Sequence, residues 1–126
     1  MRPLTGNGRE VGAAGEVLAA GWLERAGFRI LARNYRCPGG EVDVIADDRG
    51  EIVFVEVRTR RVGGLVGPEE SLTRRKQRRL LHAAQQYLQA VDGAERPWRV
   101  DLVAIEVTAA GRVQRVEHLR SVVEWT

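Results

Sequence analysis

Gly40-Glu41-Val42-Asp43-Val44-Ile45-Ala46-Asp47-Asp48-Arg49-Gly50-Glu51-Ile52-Val53-Phe54-Val55-Glu56-Val57-Arg58 is the stretch that decides the fold. Residues 41–46 and 51–59 alternate as strands do, and Asp47-Asp48-Arg49-Gly50 between them has the composition of a tight turn. Successive strand side chains point to opposite faces, so parity sorts them. Glu41, Asp43 and Ile45 share one face of the first strand, and Val42, Val44 and Ala46 the other. In the second strand Ile52, Phe54, Glu56 and Arg58 oppose Val53, Val55 and Val57, and the all-valine face is core. A two- or four-residue loop centred on Asp48-Arg49 pairs Glu41 with Glu56 and Asp43 with Phe54. Glu41, Asp43, Glu56 and Arg58 then project together, with the Cβ atoms of Asp43 and Glu56 about 7 Å apart or less. A three-residue loop would throw Asp43 and Glu56 onto opposite faces.

Carboxylates that close repel and raise one another's pKa unless a cation lies among them. A metal ion held by Asp43, Glu56 and Glu41 is one resolution. The other is an exposed sheet edge on which these acids pair with Arg33, Arg36 or Arg58. Carboxylate oxygens suit Mg2+ or Mn2+. Cys37 is the only cysteine, which excludes an intrachain disulfide and a cysteine-based zinc site. The two histidines, His82 and His118, are not in ligand spacing with each other.

Working outward, Val11, Ala14, Leu18, Ala19, Trp22, Leu23 and Ala26 recur at helical spacing over residues 9–26, and Gly27 is placed to end that helix. Residues 28–35 read as a further strand. Beyond the central hairpin, residues 60–67 form a basic loop containing Gly63, Gly64 and Gly67. A second helix follows, with Pro68 near its first turn, Glu69 and Glu70 favourably set against its dipole, and an end near Val91. Residues 98–107 and 113–119 read as the last two strands. The order α-β-β-β-α-β-β gives an α/β fold: a mixed sheet with helices on both sides or both on one side.

The chain has 126 residues, 44% of them hydrophobic, which fits one core. Residues 9–126 are expected to form a single domain behind a flexible tail, residues 1–8. That tail is too polar for a secretory h-region, and no run approaches the roughly 18 apolar residues of a membrane span. A cytoplasmic protein without membrane attachment is expected. The net charge of +3 points only weakly to a polyanionic partner. Its distribution says more: Arg58, Arg60, Arg61, Arg74, Arg75, Lys76, Arg78 and Arg79 fall within 22 residues that hold only two acids, Glu69 and Glu70. So many cations without acidic partners favour a phosphate-binding surface over a merely solvated face.

Gly40-Glu41-Val42-Asp43 followed, after twelve residues, by Glu56-Val57-Arg58 resembles the PD-(D/E)xK nuclease signature. More closely, the chain resembles the YraN-like family of small bacterial proteins, described as predicted endonucleases related to archaeal Holliday-junction resolvases. The matching pieces are Gly15-Glu16 with Ala19 and Ala20, Gly27, Arg33-Asn34-Tyr35-Arg36, residues 40–46, residues 53–60, Gly67-Pro68, Lys76 and Arg99-Val100-Asp101. The resemblance implies a restriction-endonuclease-like αβββαβ core, a Mg2+ or Mn2+ site and phosphodiester hydrolysis. It assigns Asp43 and Glu56 as metal ligands and Glu16 as a further ligand or a water-orienting base. On a helical plot Glu16 lies at the rim of the apolar arc, beside Leu23. Asp101, two residues beyond Arg99, reads as its structural partner. Because resolvase-like relatives act as two-fold dimers, a homodimer is a further expectation.

The signature has lysine where this chain has Arg58. Arginine can grip phosphate in a bidentate fork but does not lose its proton. Lys76 is the only lysine among 20 basic residues. At about 100° per residue, it falls on the arc holding Leu72, Leu80, Ala84 and Leu88, and Arg74, Arg75, Arg78 and Arg79 fall outside. Lys76 is therefore expected either to reach the carboxylates and supply the compact cation that Arg58 is not, or to snorkel at the helix end. Two functions fit: metal-dependent cleavage of nucleic acid, with DNA expected ahead of RNA and branched forms preferred, or a non-catalytic nucleic-acid-binding domain. In the first, Arg58, Arg60, Arg61 and the outer arginines of the second helix grip phosphates, which gives affinity without sequence reading.

Overall fold

The computed structural model describes residues 3–62, 72–93 and 95–123. Helix α1 (Gly8–Arg25) is followed by strands β1 (Arg29–Cys37), β2 (Gly40–Asp48) and β3 (Glu51–Arg61), helix α2 (Arg74–Ala90), and strands β4 (Trp98–Val107) and β5 (Val113–Leu119). The strands form one sheet in the order β1-β2-β3-β4-β5. Only the β3–β4 pair is parallel, and α2 is the crossover between those two strands. This is the mixed α/β sheet expected of a restriction-endonuclease-like core, with β5 added at its edge.

The helices cover opposite faces. Val44, Ala46, Val53, Val55, Val103 and Ile105 pack with Ala19 and Leu23 of α1. Val42, Ile45, Ile52, Phe54 and Val100 pack with Leu80, Ala83, Ala84 and Leu88 of α2. Both helices approach the sheet closely at a glycine. A Cβ on Gly15 of α1 would collide with the Thr59 hydroxyl, and one on Gly40 of β2 would collide with the Arg79 carbonyl of α2. The end of α1 follows from its sequence: Gly27 takes φ +98°, its N–H bonds to the Glu24 carbonyl, and the Phe28 N–H reaches back to Leu23.

Three expectations are corrected. The residues before α1 are not all a loose tail, because Leu4 is buried and its N–H donates to the Gly111 carbonyl at 2.6 Å. An apolar side chain beside a core edge is drawn under it. Helix α2 begins at Arg74, with the Thr73 hydroxyl accepting the Lys76 N–H and no acid in the first turn; Pro68, Glu69, Glu70 and the loop glycines lie outside the described residues. The β2–β3 turn is Arg49-Gly50, both with positive φ, as a two-residue hairpin demands. Its pairs are Asp48↔Glu51, Asp47↔Ile52, Ala46↔Val53, Ile45↔Phe54 and Val44↔Val55. The register differs by two residues from the one centred on Asp48-Arg49, so parity is kept while every pair changes.

One irregularity in β2 places the site. Val44 packs on the α1 side, yet Val42 packs with Ile45 on the α2 side. Strict alternation would put Val42 with Val44, so the strand slips between Val42 and Ile45. Asp43 sits at that slip. No helix among the described residues is long and apolar enough to cross a membrane.

Candidate functional site

Where the β2–β3 ladder stops at Val44↔Val55, the Asp43 side chain takes over: its Oδ2 accepts the Val57 backbone N–H at 2.8 Å. From that position Asp43 makes side-chain hydrogen-bond contact with Glu16 of α1 and with Glu56 of β3. The slip thus lets one aspartate meet a glutamate from each layer. Burial first, and then the Asp43 carboxylate beside it, push the Glu56 carboxyl up to about 8, against the pull of Arg58 and Lys76. The same two causes push Glu16 up to about 7, against Arg33 and Arg36. Glu56 is recessed where Glu41 is not, its side chain 13% exposed against 52% for Glu41, with Arg58 Nη1 at 3.7 Å.

These groups form the floor of an open cleft of about 240 Å³. Gly12 and Glu16 of α1 wall one side, and Lys76, Arg79 and Leu80 of α2 the other. Lys76 does point inward from α2. Burial, and then the Arg58 charge, lower its pKa, while Glu56 and Asp43 act in the opposite sense. Glu41 also lines the cleft, but at its rim: it is exposed and pairs with Arg36 at 3.8 Å. Of the surface cations, Arg61, Arg74, Arg75, Arg78 and Arg79 are exposed, whereas Arg60 is half-buried against Glu106 at 3.4 Å.

No group of three or more His, Cys, Asp or Glu side chains converges as a preformed metal cluster among the described residues. The carboxylates meet pairwise through Asp43 instead. That donor set still suits a hard divalent ion, because every donor is carboxylate oxygen. Mg2+ commonly takes only one or two carboxylates beside water and substrate phosphate. The residues that could hold it are Asp43 and Glu56, with Glu16 beside them and Glu41 farther out.

A larger cavity, about 300 Å³, lies between the segment before α1, the end of β3 and the β4–β5 turn. Among the described residues it is lined by no carboxylate, so the candidate site is the smaller cleft. Asp101 of β4 stands beside Val55 of β3 and outside the cleft, fully buried and bonded to Arg99 Nε, His118 Nε2 and the Ser121 N–H. Hydrogen bonds from those donors hold its carboxyl below the usual range in spite of burial. It is a structural partner of Arg99.

The profile of the uncharacterised protein family UPF0102 matches residues 15–105, a span that takes in Glu16, Asp43, Glu56, Arg58 and Lys76. The chain belongs to the UPF0102 family. A UPF0102 protein of Roseiflexus castenholzii is 42% identical over 96% of this chain and 98% of its own. Others from Beutenbergia cavernae and Symbiobacterium thermophilum are each 46% identical, over 89% and 84% of this chain and 94% and 90% of theirs. UPF0102 relatives therefore share the whole domain and not just one motif.

Two features of the cleft escaped the strand-parity reading. Arg79 reads as an outer arginine of α2 yet lines the cleft, and Val57 contributes through its backbone. Gly40, where α2 rests on β2, was the available signal that residues near 79 lie over the carboxylates.

Proposed function

We propose that this protein is a divalent-metal-dependent phosphodiesterase acting on nucleic acid, with DNA as the favoured substrate. The observation that carries the reading is the contact of Asp43 with both Glu16 and Glu56 on the floor of a cleft open to solvent. Acids that crowd together at the cost of raised pKa values need a cation to be ionised together near neutral pH. Asp43 and Glu56 would hold Mg2+ or Mn2+, which supplies Lewis acidity toward a phosphate oxygen and acidifies a bound water.

The chain's own groups divide the remaining work. The Val57 N–H fixes one oxygen of Asp43 and so orients the other. Glu16, on the opposite wall, is placed to orient a water. Arg58 and Lys76 meet the phosphate from β3 and α2, Arg58 as a fork and Lys76 as a compact point charge. Arg74, Arg75, Arg78 and Arg79 continue that charge along the exposed face of α2.

A second reading, a binding domain without catalysis, is favoured by one observation: Arg58, in the place of the signature lysine, is paired with Glu56. Cleavage of a labelled panel of duplex, single strand, flap and four-way junction with Mn2+ decides between them. Cleavage by the wild type that disappears in Asp43→Asn establishes the phosphodiesterase. Binding without cleavage by either protein selects the second reading.

A further inference from the structure

We infer that the cleft accepts one unpaired nucleic-acid strand and excludes an intact duplex. This rests on the phosphodiesterase reading and names its substrate class. The first ground is the shape of the cleft: its floor of Asp43, Glu56 and Val57 lies between a wall from α1, Gly12 and Glu16, and a wall from α2, Lys76, Arg79 and Leu80.

The second ground is depth. Glu56 is 13% exposed, so a phosphate must descend between α1 and α2 to come near it. A strand held in a duplex has its partner strand against the same walls.

The third ground is the placement of charge on both banks. Arg33 and Arg36 of β1 act on Glu16 on one side, while Arg79 lines the cleft from α2 on the other. Arg36 stands at the rim, its side chain 76% exposed and paired with Glu41 at 3.8 Å, a surface contact weak enough for a phosphate to displace. Along α2 the charge stops at Arg79: the exposed residues beyond it are His82, Gln85, Gln86, Gln89 and Ala90. Contact is therefore concentrated around the cleft, where one strand can touch both banks. No aromatic ring is among the described lining residues, so bases are not stacked there and the grip is electrostatic.

The test is fluorescence anisotropy of the full chain with Ca2+ in place of Mn2+, using a short labelled oligothymidylate, a blunt duplex of the same length and that duplex carrying a flap. The single strand and the flap should bind at least about tenfold more tightly than the blunt duplex. Arg36→Glu and Arg79→Glu should each weaken single-strand binding, since they stand on opposite banks. Blunt duplex bound as tightly as single strand, or single-strand binding indifferent to Arg36→Glu, overturns the inference and leaves the phosphodiesterase reading standing. If no oligonucleotide binds even at low salt, the nucleic-acid reading itself fails.

Discussion

Asp43 and Val57 are joined by a 2.8 Å hydrogen bond in which a side-chain oxygen takes a backbone N–H that the sheet ladder leaves unpaired. The bond makes Asp43 part of the sheet and part of the site at once. The two roles separate by substitution. Asp43→Asn keeps an oxygen for the Val57 N–H, so its urea midpoint should stay near wild type while Mn2+ binding, read by calorimetry, is lost. Asp43→Ala strands the Val57 N–H, at a cost of about 1–3 kcal/mol. Equal stability of the two variants would show that the hydrogen bond contributes nothing.

Stability of the metal-free protein should fall as pH rises. Glu16 and Glu56 have folded-state pKa values raised from 4.5 to about 7 and about 8. Between those limits the folded chain binds more protons than the unfolded one, so their contribution is full below about 4.5 and is lost as pH climbs through 7 to 8. Melting temperatures taken from pH about 5 to about 9 should decline without metal, and Mn2+ should restore them at the alkaline end. A flat profile without metal would mean that the two carboxyls are not perturbed as described.

Gly40→Ala and Gly12→Ala should move stability in opposite directions. A methyl on Gly40 meets the Arg79 carbonyl and the Ala83 N, and overpacking of that kind costs about 1–3 kcal/mol. Gly12 has nothing within 4 Å of such a methyl, and removing a helical glycine there gains up to about 1 kcal/mol. Thermal denaturation of both variants checks the close seating of α2 on β2.

Thr59→Val should leave stability unchanged or raise it. The Thr59 hydroxyl is buried beneath Gly15 and has no hydrogen-bond partner among the described residues. Replacing an unsatisfied group by a methyl of the same shape removes a desolvation cost. A loss of about 1 kcal/mol or more would reveal a partner.

Lys76→Arg tests the division of labour in the cleft. Arginine keeps the charge but not the compact ammonium, so cleavage should drop by at least about tenfold (some 1.4 kcal/mol of barrier) with oligonucleotide binding retained. Activity close to wild type would remove Lys76 from any special role.

The sequence makes some of this legible and hides the rest for identifiable reasons. Val53, Val55 and Val57 announce the core face of β3 because they alternate without exception. The turn is less determinate: Asp48-Arg49 and Arg49-Gly50 both suit a hairpin, and only the folded sheet selects the second. The two-residue error preserved parity, which is why Asp43 and Glu56 still fall together. The slip at Asp43 is invisible to alternation, since it depends on packing of Val42 beneath α2. The engagement of Arg60 by Glu106 arises from β3–β4 register across 46 residues, which no local pattern encodes. Glu41 carried the same parity as Asp43 but stands at the rim, beyond the last β2–β3 pair.

The knot of Arg99, Asp101 and His118 ties β4 to β5, with Arg99 also reaching Asp48 and Glu51, and none of these five residues is among the described lining of the cleft. Its consequence is a division between what holds the molecule and what it works with. Cohesion is supplied by residues outside the cleft, so the cleft can carry acids that would prefer to be apart. Substitutions among the cleft residues are then free to alter what the cleft does while the chain still folds. A variant can then lose whatever the cleft does and keep the scaffold, and folding assays alone will not detect the loss.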